Sequence, residues 1–251
     1  MSAKEHLYKS EAVVIKRMNL GEADKILTIF TPNFGKLRVV AKGVRKVTSR
    51  LAGHVELFTR SQMLLARGRN LDIVTQSETM DSFRVLHDDL SRLAHASYTA
   101  ELLDKLLPDA LENYPAYRLL VETLQLVSTD ADTDRVLRWY ELQLLNYLGY
   151  APELTHCVEC RNELTPVVNT FSPAFGGVMC PSCKRIGVGR DISVNALKVL
   201  RLMQRNPYSA VARIRITPDL QAELQGINQI HITHVIEADV RSTQFIKTAA
   251  E

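Results

Sequence analysis

Short apolar, β-branched runs alternate with polar turns through the first 80 residues. Runs typical of strands lie at 11–16, 25–31, 36–42, 56–65 and 71–77. Gly35, shortly after Pro32, supplies turn chemistry and is free to adopt positive φ, and Arg67-Gly-Arg-Asn70 is a further turn signal. About five short strands in this length predict a small barrel, because closing a sheet removes its unpaired edges. An oligonucleotide-binding (OB) barrel is the leading choice.

After Met80 the apolar positions recur every three or four residues, which is typical of amphipathic helices. Helices are predicted at 88–107, 114–127, 133–150, 193–204 and around 220–240. The third has the clearest signals: Asp132 or Thr133 caps its start, and Gly149 with Pro152 ends it. The pattern therefore predicts an α+β chain in which an N-terminal OB-fold barrel precedes an all-α helical domain.

The four cysteines form two Cys-x-x-Cys pairs, Cys157/Cys160 and Cys180/Cys183, with nineteen residues between the pairs. This spacing matches the template for a tetrahedral zinc site, and four thiolates leave no open position for a substrate. We therefore expect one structural Zn²⁺ that holds a small inserted ribbon. Redox-active pairs, inert thiols, and replacement of one thiolate by His156 are the alternatives. The predicted domains are 1–80 (barrel), 81–152 with 187–251 (helical) and 153–186 (zinc ribbon).

Basic charge is concentrated at the N-terminus. Residues 1–80 hold 14 Lys and Arg against 7 Asp and Glu, net +7, whereas the remainder carries net −4. This asymmetry favours a polyanion-binding face, although chance clustering on a solvated surface also explains it.

Within the basic region, six cations and no acid lie between positions 36 and 50. The six are Lys36, Arg38, Lys42, Arg45, Lys46 and Arg50. The even positions among 36–42 share one strand face, so these cations are expected on the outside of the barrel, continuing into a loop. Such a ribbon can follow a phosphate backbone in a salt-sensitive manner. Tyr8, Phe34 and Phe58 are possible stacking surfaces, but aromatic residues in small barrels more often belong to the core.

Several classes are disfavoured. No apolar run reaches the ~18–20 residues that a bilayer requires, and Met1 to Ser10 is polar, unlike a signal peptide, so a cytoplasmic location is expected. No Walker-type loop, H-E-x-x-H or Ser–His–Asp signature points to an enzyme. Turn geometry and solvation account for the loop acids Glu22 and Asp24.

Several stretches resemble the RecO recombination-mediator proteins of bacteria. At the N-terminus these are Gly21-Glu-Ala-Asp-Lys25, Leu27-Thr-Ile-Phe-Thr31, Gly35-Lys-Leu-Arg38 and Val40-Ala-Lys-Gly43. Downstream they are Leu145-Asn-Tyr-Leu-Gly-Tyr-Ala-Pro152, Phe171-Ser-Pro-Ala-Phe-Gly-Gly-Val-Met-Cys180 and Arg241-Ser-x-x-Phe245. They keep the order of the family and span nearly the whole chain.

The resemblance implies a non-enzymatic protein that binds single- and double-stranded DNA and anneals complementary strands. It further implies assembly with RecR, contact with the C-terminal tail of single-strand-binding protein, help in loading recombinase onto coated DNA, and nucleoid association during repair. It implies no association with a membrane and no small-molecule substrate. In this family the helical region carries the tail pocket; the resemblance does not assign it to residues, and Arg135 and Arg138 are the two positions considered. An RNA- or ribosome-associated adaptor is the alternative reading, and a metal-dependent nuclease is a weaker third.

Overall fold

The computed structural model describes residues 6–237 and 240–249. Five strands form the N-terminal part, and β1 is long enough to pair on both sides. The strands are β1 Leu7–Leu20, β2 Asp24–Thr31, β3 Gly35–Ala41, β4 Arg60–Ala66 and β5 Asp72–Asp81. All five predicted strands are thereby confirmed. Several boundaries differ: β1 and β5 extend beyond the predicted 11–16 and 71–77, and residues 56–59 precede β4, where Phe58 has φ +63°.

The strands close into a barrel with the order β1-β2-β3-β5-β4. A bulge between Val14 and Lys16 lets the first half of β1 pair with β4 and the second half with β2. Closure comes from parallel pairing of β3 with β5, in which Val39 lies opposite Asp72. The inward residues form an aliphatic core that includes Val14, Leu27, Val39, Met63 and Leu65. Five strands closed in this way are the OB arrangement that the sequence predicted.

Helices follow the barrel. They are α1 Val85–Asp88, α2 Leu90–Leu106, α3 Tyr114–Thr129, α4 Thr133–Tyr147, α5 Val194–Arg205, α6 Tyr208–Val211, α7 Pro218–Ile236 and α8 Ser242–Ala249. The five predicted helices correspond to α2, α3, α4, α5 and α7. Of the last predicted range, 238–239 lie outside the described residues.

Sequence signals account for the helix ends. The carboxylate of Asp132 accepts the backbone N–H of Arg135 at 3.0 Å and so caps α4, as expected. Gly149 follows α4 with φ +80°, the left-handed conformation that ends helices. None of the helices in the described ranges is both long and apolar enough to span a bilayer.

Between α4 and α5 lies a small three-stranded sheet with the order β7-β6-β8. Its strands are β6 Asn169–Ser172, β7 Gly177–Met179 and β8 Arg190–Ile192. Gly177 permits a close approach, because a Cβ there would lie 2.4 Å from the carbonyl oxygen of Glu153.

The chain divides into two compact units. One contains the described residues up to Thr129 together with those from Arg241, and the other contains the described residues between Asp130 and Val240. Helices α1–α3 and α8 thus belong to the same unit as the barrel. The three domain ranges predicted from the sequence, 1–80, 81–152 with 187–251, and 153–186, stay a prediction.

Candidate nucleic-acid interface and metal centre

The outer face of β3 carries two of the predicted cations, Lys36 and Arg38, and their side chains differ in exposure to solvent. Leu37, Val39 and Ala41 point toward the barrel core, so the even positions face outward as predicted. Arg38 is exposed. Lys36, however, is only 7% exposed.

The expectation that Lys36 lies on the open surface is therefore wrong. Its Nζ is 2.9 Å from Oδ1 of Asp104, 2.7 Å from the Asp104 carbonyl oxygen and 3.2 Å from Oδ1 of Asp109. Asp104 belongs to α2 and Asp109 to the segment after it, which pack over this end of the strand. Lys36 thus joins the barrel to the helices of its own unit, and its charge is already compensated.

The remaining cations continue from β3 into residues 42–50, here called the cationic loop. Lys42, Arg45, Lys46 and Arg50 in this loop are all exposed. Together with Arg38 they form what we call the cationic surface. Val44, which is 4% exposed, anchors the loop in the barrel core.

The cationic loop is fastened to the turn between β1 and β2. The carboxylate of Asp24 accepts the backbone N–H of Gly43 at 2.7 Å. Arg45 donates its backbone N–H to the carbonyl oxygen of Ala23 and its guanidinium N–H to that of Gly21, both at 2.9 Å. Asp24, which sequence reasoning assigned to turn geometry, is therefore a fastening point for this loop.

Sequence reasoning missed two arginines in the loop between β4 and β5. The parallel register sets Asp72 opposite Val39, so the preceding 67–71 loop lies toward the start of β3, at the end of the barrel away from the cationic loop. Arg67 and Arg69 in this loop are exposed. Arg67 lies 3.5 Å from the carboxylate of Asp72 and stacks over the ring of Tyr8. The local signal around them indicated only a turn, because a pattern of neighbours does not reveal a non-local strand pairing.

The three aromatic candidates are largely committed to internal contacts. Phe58 is 1% exposed, so it offers no stacking surface. The hydroxyl of Tyr8 donates to Asp72 at 2.6 Å, and its ring meets Phe34 edge to face. Burial and this hydrogen bond raise the pKa of Tyr8. The described cationic surface therefore offers charge rather than aromatic stacking.

The four cysteines come together as their spacing predicted. One sulfur from each of Cys157, Cys160, Cys180 and Cys183 lies within 4.8 Å of the others. The backbone turn after Cys157 is closed by Arg161, which has φ +64°, and Cys183 N–H donates to the carbonyl oxygen of Cys180 at 3.0 Å. The neighbouring His156 is not among the clustered residues. This cluster is a possible metal-binding site.

The environment of the sulfurs favours a thiolate at Cys157. Burial raises the pKa of Cys157, but backbone N–H groups of Cys160, Cys180 and Glu159 outweigh that effect and lower it to about 6. The pKa of Cys183 is raised, because its thiol hydrogen-bonds to those of Cys180 and Cys160. Four sulfurs this close repel each other as thiolates, and a bound cation would relieve that repulsion.

The two arginines considered for a partner pocket are both compensated. Arg135 lies 3.3 Å from Asp130 and 3.4 Å from Asp132. Arg138 is buried, 2.8 Å from the carboxylate of Glu141. Nothing in their contacts marks either one as a docking point.

Comparison with known proteins assigns the N-terminal and C-terminal parts of the chain to the same family. The family described as "Recombination protein O N terminal" matches residues 1–83, and "Recombination protein O C terminal" matches residues 87–244. The DNA repair protein RecO of Roseiflexus sp. is 44% identical over 246 residues, covering 97% of this chain and 86% of that protein. The DNA repair protein RecO of Dehalococcoides mccartyi is 36% identical over 239 residues, covering 95% and 94%. That of Symbiobacterium thermophilum is 35% identical over 246 residues, covering 96% and 97%.

Proposed function

Since the chain belongs to the RecO family of DNA repair proteins, we propose that it binds single- and double-stranded DNA and anneals complementary strands. With RecR it helps to load recombinase onto DNA coated with single-strand-binding protein, whose C-terminal tail it engages. It acts in the cytoplasm, at the nucleoid during repair, and makes or breaks no covalent bond. The observation that carries the proposal is the cationic surface, an exposed set of five positive charges on a small closed barrel.

Charge explains why such a surface suits annealing. Two complementary strands repel each other through their phosphates, and a surface that neutralises some phosphates on each strand lowers the cost of their meeting. The five cations of the cationic surface run from the outward face of β3 into the loop that follows it, so they form one continuous positive stretch. Lys36 is left out of the proposed contact set because its charge is compensated by Asp104 and Asp109.

The test is the salt dependence of binding to an oligo-dT strand. A variant in which Arg38, Lys42, Arg45 and Lys46 are all alanine should bind more weakly. If all four contact phosphates, the log–log salt slope should become shallower by about 3, from ~0.7 for each lost contact. The control removes four exposed cations elsewhere, Arg84, Arg118, Lys198 and Arg213, and should leave the slope unchanged. Equal slopes in wild type and the first variant would refute the assignment of this surface.

Two further assays separate the alternatives. The first compares the affinities of the protein for matched RNA and DNA oligonucleotides, and the second measures annealing of complementary DNA strands coated by single-strand-binding protein. Together they distinguish the repair role from that of an RNA adaptor. Magnesium-dependent cleavage by pure protein would overturn the non-enzymatic assignment.

We also propose that the cysteine cluster holds one structural zinc ion. A tetrahedral site with Zn–S bonds of about 2.3 Å places its sulfurs about 3.8 Å apart. The sulfurs of Cys160 and Cys180 are 3.8 Å apart, and all four lie within 4.8 Å, so the cluster fits that geometry. Zinc would link the two Cys-x-x-Cys pairs and stabilise a segment whose three strands have only three or four residues each. Metal analysis of the purified protein should give one zinc per chain.

A further inference from the structure

The turn between β1 and β2 presents three hydrogen-bond acceptors to the first half of the cationic loop. The carboxylate of Asp24 accepts the backbone N–H of Gly43, and the carbonyl oxygen of Ala23 accepts that of Arg45. The carbonyl oxygen of Gly21 accepts a guanidinium N–H of the same arginine. We call Gly21, Ala23 and Asp24 the clasp, because together they tie the loop to the barrel.

The clasp begins where the ladder between β2 and β3 ends. The last residues paired between these two strands are Lys25 and Ala41. Asp24 immediately precedes Lys25, and its side chain reaches the backbone N–H two residues beyond Ala41, at 2.7 Å. A carboxylate is a stronger acceptor than the carbonyl oxygen that would continue a ladder. Asp24 therefore extends the attachment of the two strands into the loop.

The loop has a reason to need this attachment. Residues 42–50 contain four cations and no acid, and all four cations are exposed. Like charges this close in sequence repel one another and favour a spread, disordered segment. Two turns restrain the loop locally: Lys46 N–H donates to the Gly43 carbonyl oxygen at 3.1 Å, and Ser49 N–H donates to that of Lys46 at 2.9 Å. Only the clasp and the buried Val44 connect this half of the described loop to the barrel.

The clasp acts on the backbone of the loop and leaves its charges uncompensated. Within the part of the chain that the structure describes, no lysine or arginine forms an ion pair with the Asp24 carboxylate, whose partner is the Gly43 backbone. Arg45 gives one guanidinium N–H to the clasp, and a guanidinium has five. The clasp therefore orients the loop without neutralising it.

We propose that Asp24 is a positioning residue for DNA binding: it holds the cationic loop in the form that meets phosphates before any DNA arrives. This inference rests on the proposed function and specifies how its binding surface is prepared. A loop that is ordered in advance loses less conformational entropy when phosphates dock on it, and this raises affinity. Asp24 itself touches no phosphate.

Charge alone predicts the opposite effect of removing Asp24. This acid lies beside a surface that binds a polyanion, so loss of its negative charge should strengthen binding. Loss of the clasp should weaken it instead. One charge-assisted hydrogen bond corresponds to roughly tenfold in an equilibrium constant, so Asp24→Ala should bind oligo-dT about tenfold more weakly. The log–log salt slope should change by less than ~0.7, the value of one phosphate contact, because every cation is still present.

The experiment measures oligo-dT affinity by fluorescence anisotropy and backbone hydrogen exchange in the loop. Glu22→Ala is the matched control, since Glu22 is exposed in the same turn and makes none of the clasp contacts. It should bind as tightly as wild type or slightly more tightly. Asp24→Asn keeps an acceptor oxygen near Gly43 but removes the charge, so it should bind within about threefold of wild type. The amides of Gly43 and Arg45 should exchange faster in Asp24→Ala and at the wild-type rate in Glu22→Ala.

A milder variant keeps the test decisive if Asp24→Ala does not fold. Asp24→Glu retains the charge but displaces the carboxylate by one methylene group, so it should bind about threefold more weakly than wild type, whereas charge alone predicts no change. Wild-type or tighter binding by both Asp24→Ala and Asp24→Glu would overturn the inference. An equal loss in Glu22→Ala would do so too, as would binding by Asp24→Asn as weak as that of Asp24→Ala, since the hydrogen bond would then not be responsible.

Failure of this inference can be told apart from failure of the proposed function. If replacing the four cations by alanine flattens the salt slope while the Asp24 variants bind like wild type, only the positioning role is wrong. If the wild-type chain does not bind oligo-dT at low salt, the proposed function itself is wrong.

Discussion

Replacing Lys36 by Met should destabilise the protein without weakening its binding to DNA. The substitution keeps much of the aliphatic stem but removes the ammonium that lies 2.9 Å from Asp104 and 3.2 Å from Asp109. Asp109 then loses its nearby cation, Asp104 keeps only Lys16 at 3.6 Å, and the Asp104 carbonyl oxygen loses its donor. No phosphate contact is lost, because the buried ammonium does not reach the surface.

The size of the effect follows from the exposure of the groups left behind. Removing one partner of a fully buried pair costs about 3–5 kcal/mol, whereas surface pairs contribute about 0–1 kcal/mol. The Lys36 side chain is 8% exposed, but those of Asp104 and Asp109 are 25% and 64% exposed. Water therefore partly hydrates the two carboxylates after Lys36 is removed, and we expect the free energy of unfolding to fall by about 2 kcal/mol. At ~2–4 °C for each kcal/mol, the melting midpoint of the barrel-containing unit should fall by about 4–8 °C.

Thermal unfolding followed by circular dichroism measures the stability, and fluorescence anisotropy with oligo-dT measures the binding. Lys42→Met is the matched control, since Lys42 is exposed on the cationic loop. It should melt like wild type but bind DNA more weakly, the reverse of Lys36→Met. The reasoning is refuted if Lys36→Met melts like wild type and loses as much affinity as Lys42→Met.

Three further outcomes are expected. Cys160→Ser should lower the bound zinc measured by metal analysis and increase hydrogen exchange in the ribbon, while affinity for oligo-dT stays at the wild-type value; a full complement of zinc would contradict the assigned ligand. Partial burial raises the pKa of Glu101, but hydrogen bonds from Ser242 and Arg241 at the start of α8 outweigh it and lower the pKa. The stabilisation of α8 by ionised Glu101 should be complete above about pH 4.5 and should be lost as the pH falls through the pKa of Glu101 in the folded protein. The variant Glu101→Gln should therefore speed hydrogen exchange in α8 at pH 7 but not at low pH. Gly35→Ala should lower the melting midpoint strongly, because φ is +64° and the new Cβ would lie 2.0 Å from the Leu111 carbonyl oxygen; an unchanged midpoint would show that the turn can shift.

Local patterns predicted the elements and the cysteine cluster because each of these follows from neighbouring residues. Alternation along β3 gave the correct outward face for Lys36, but not its burial, since α2 and the residues after it cover that face from nearly 70 positions away in sequence. Arg67 and Arg69 were missed for a related reason. Their position near the start of β3 depends on the parallel pairing of β3 with β5, and nothing in the turn sequence indicates that partner.

Helix α8 belongs to the same compact unit as the barrel, although about 110 residues of the other unit separate it from α3 in sequence. During synthesis the barrel and α1–α3 therefore emerge first, yet their last helix emerges only after the whole intervening unit. At a translation rate of ~5–20 residues per second, that delay is roughly 6 to 20 s. Throughout it, the side of α2 that α8 will cover is open to solvent, so a chaperone that shields nascent chains has a defined surface and a defined interval in which to act.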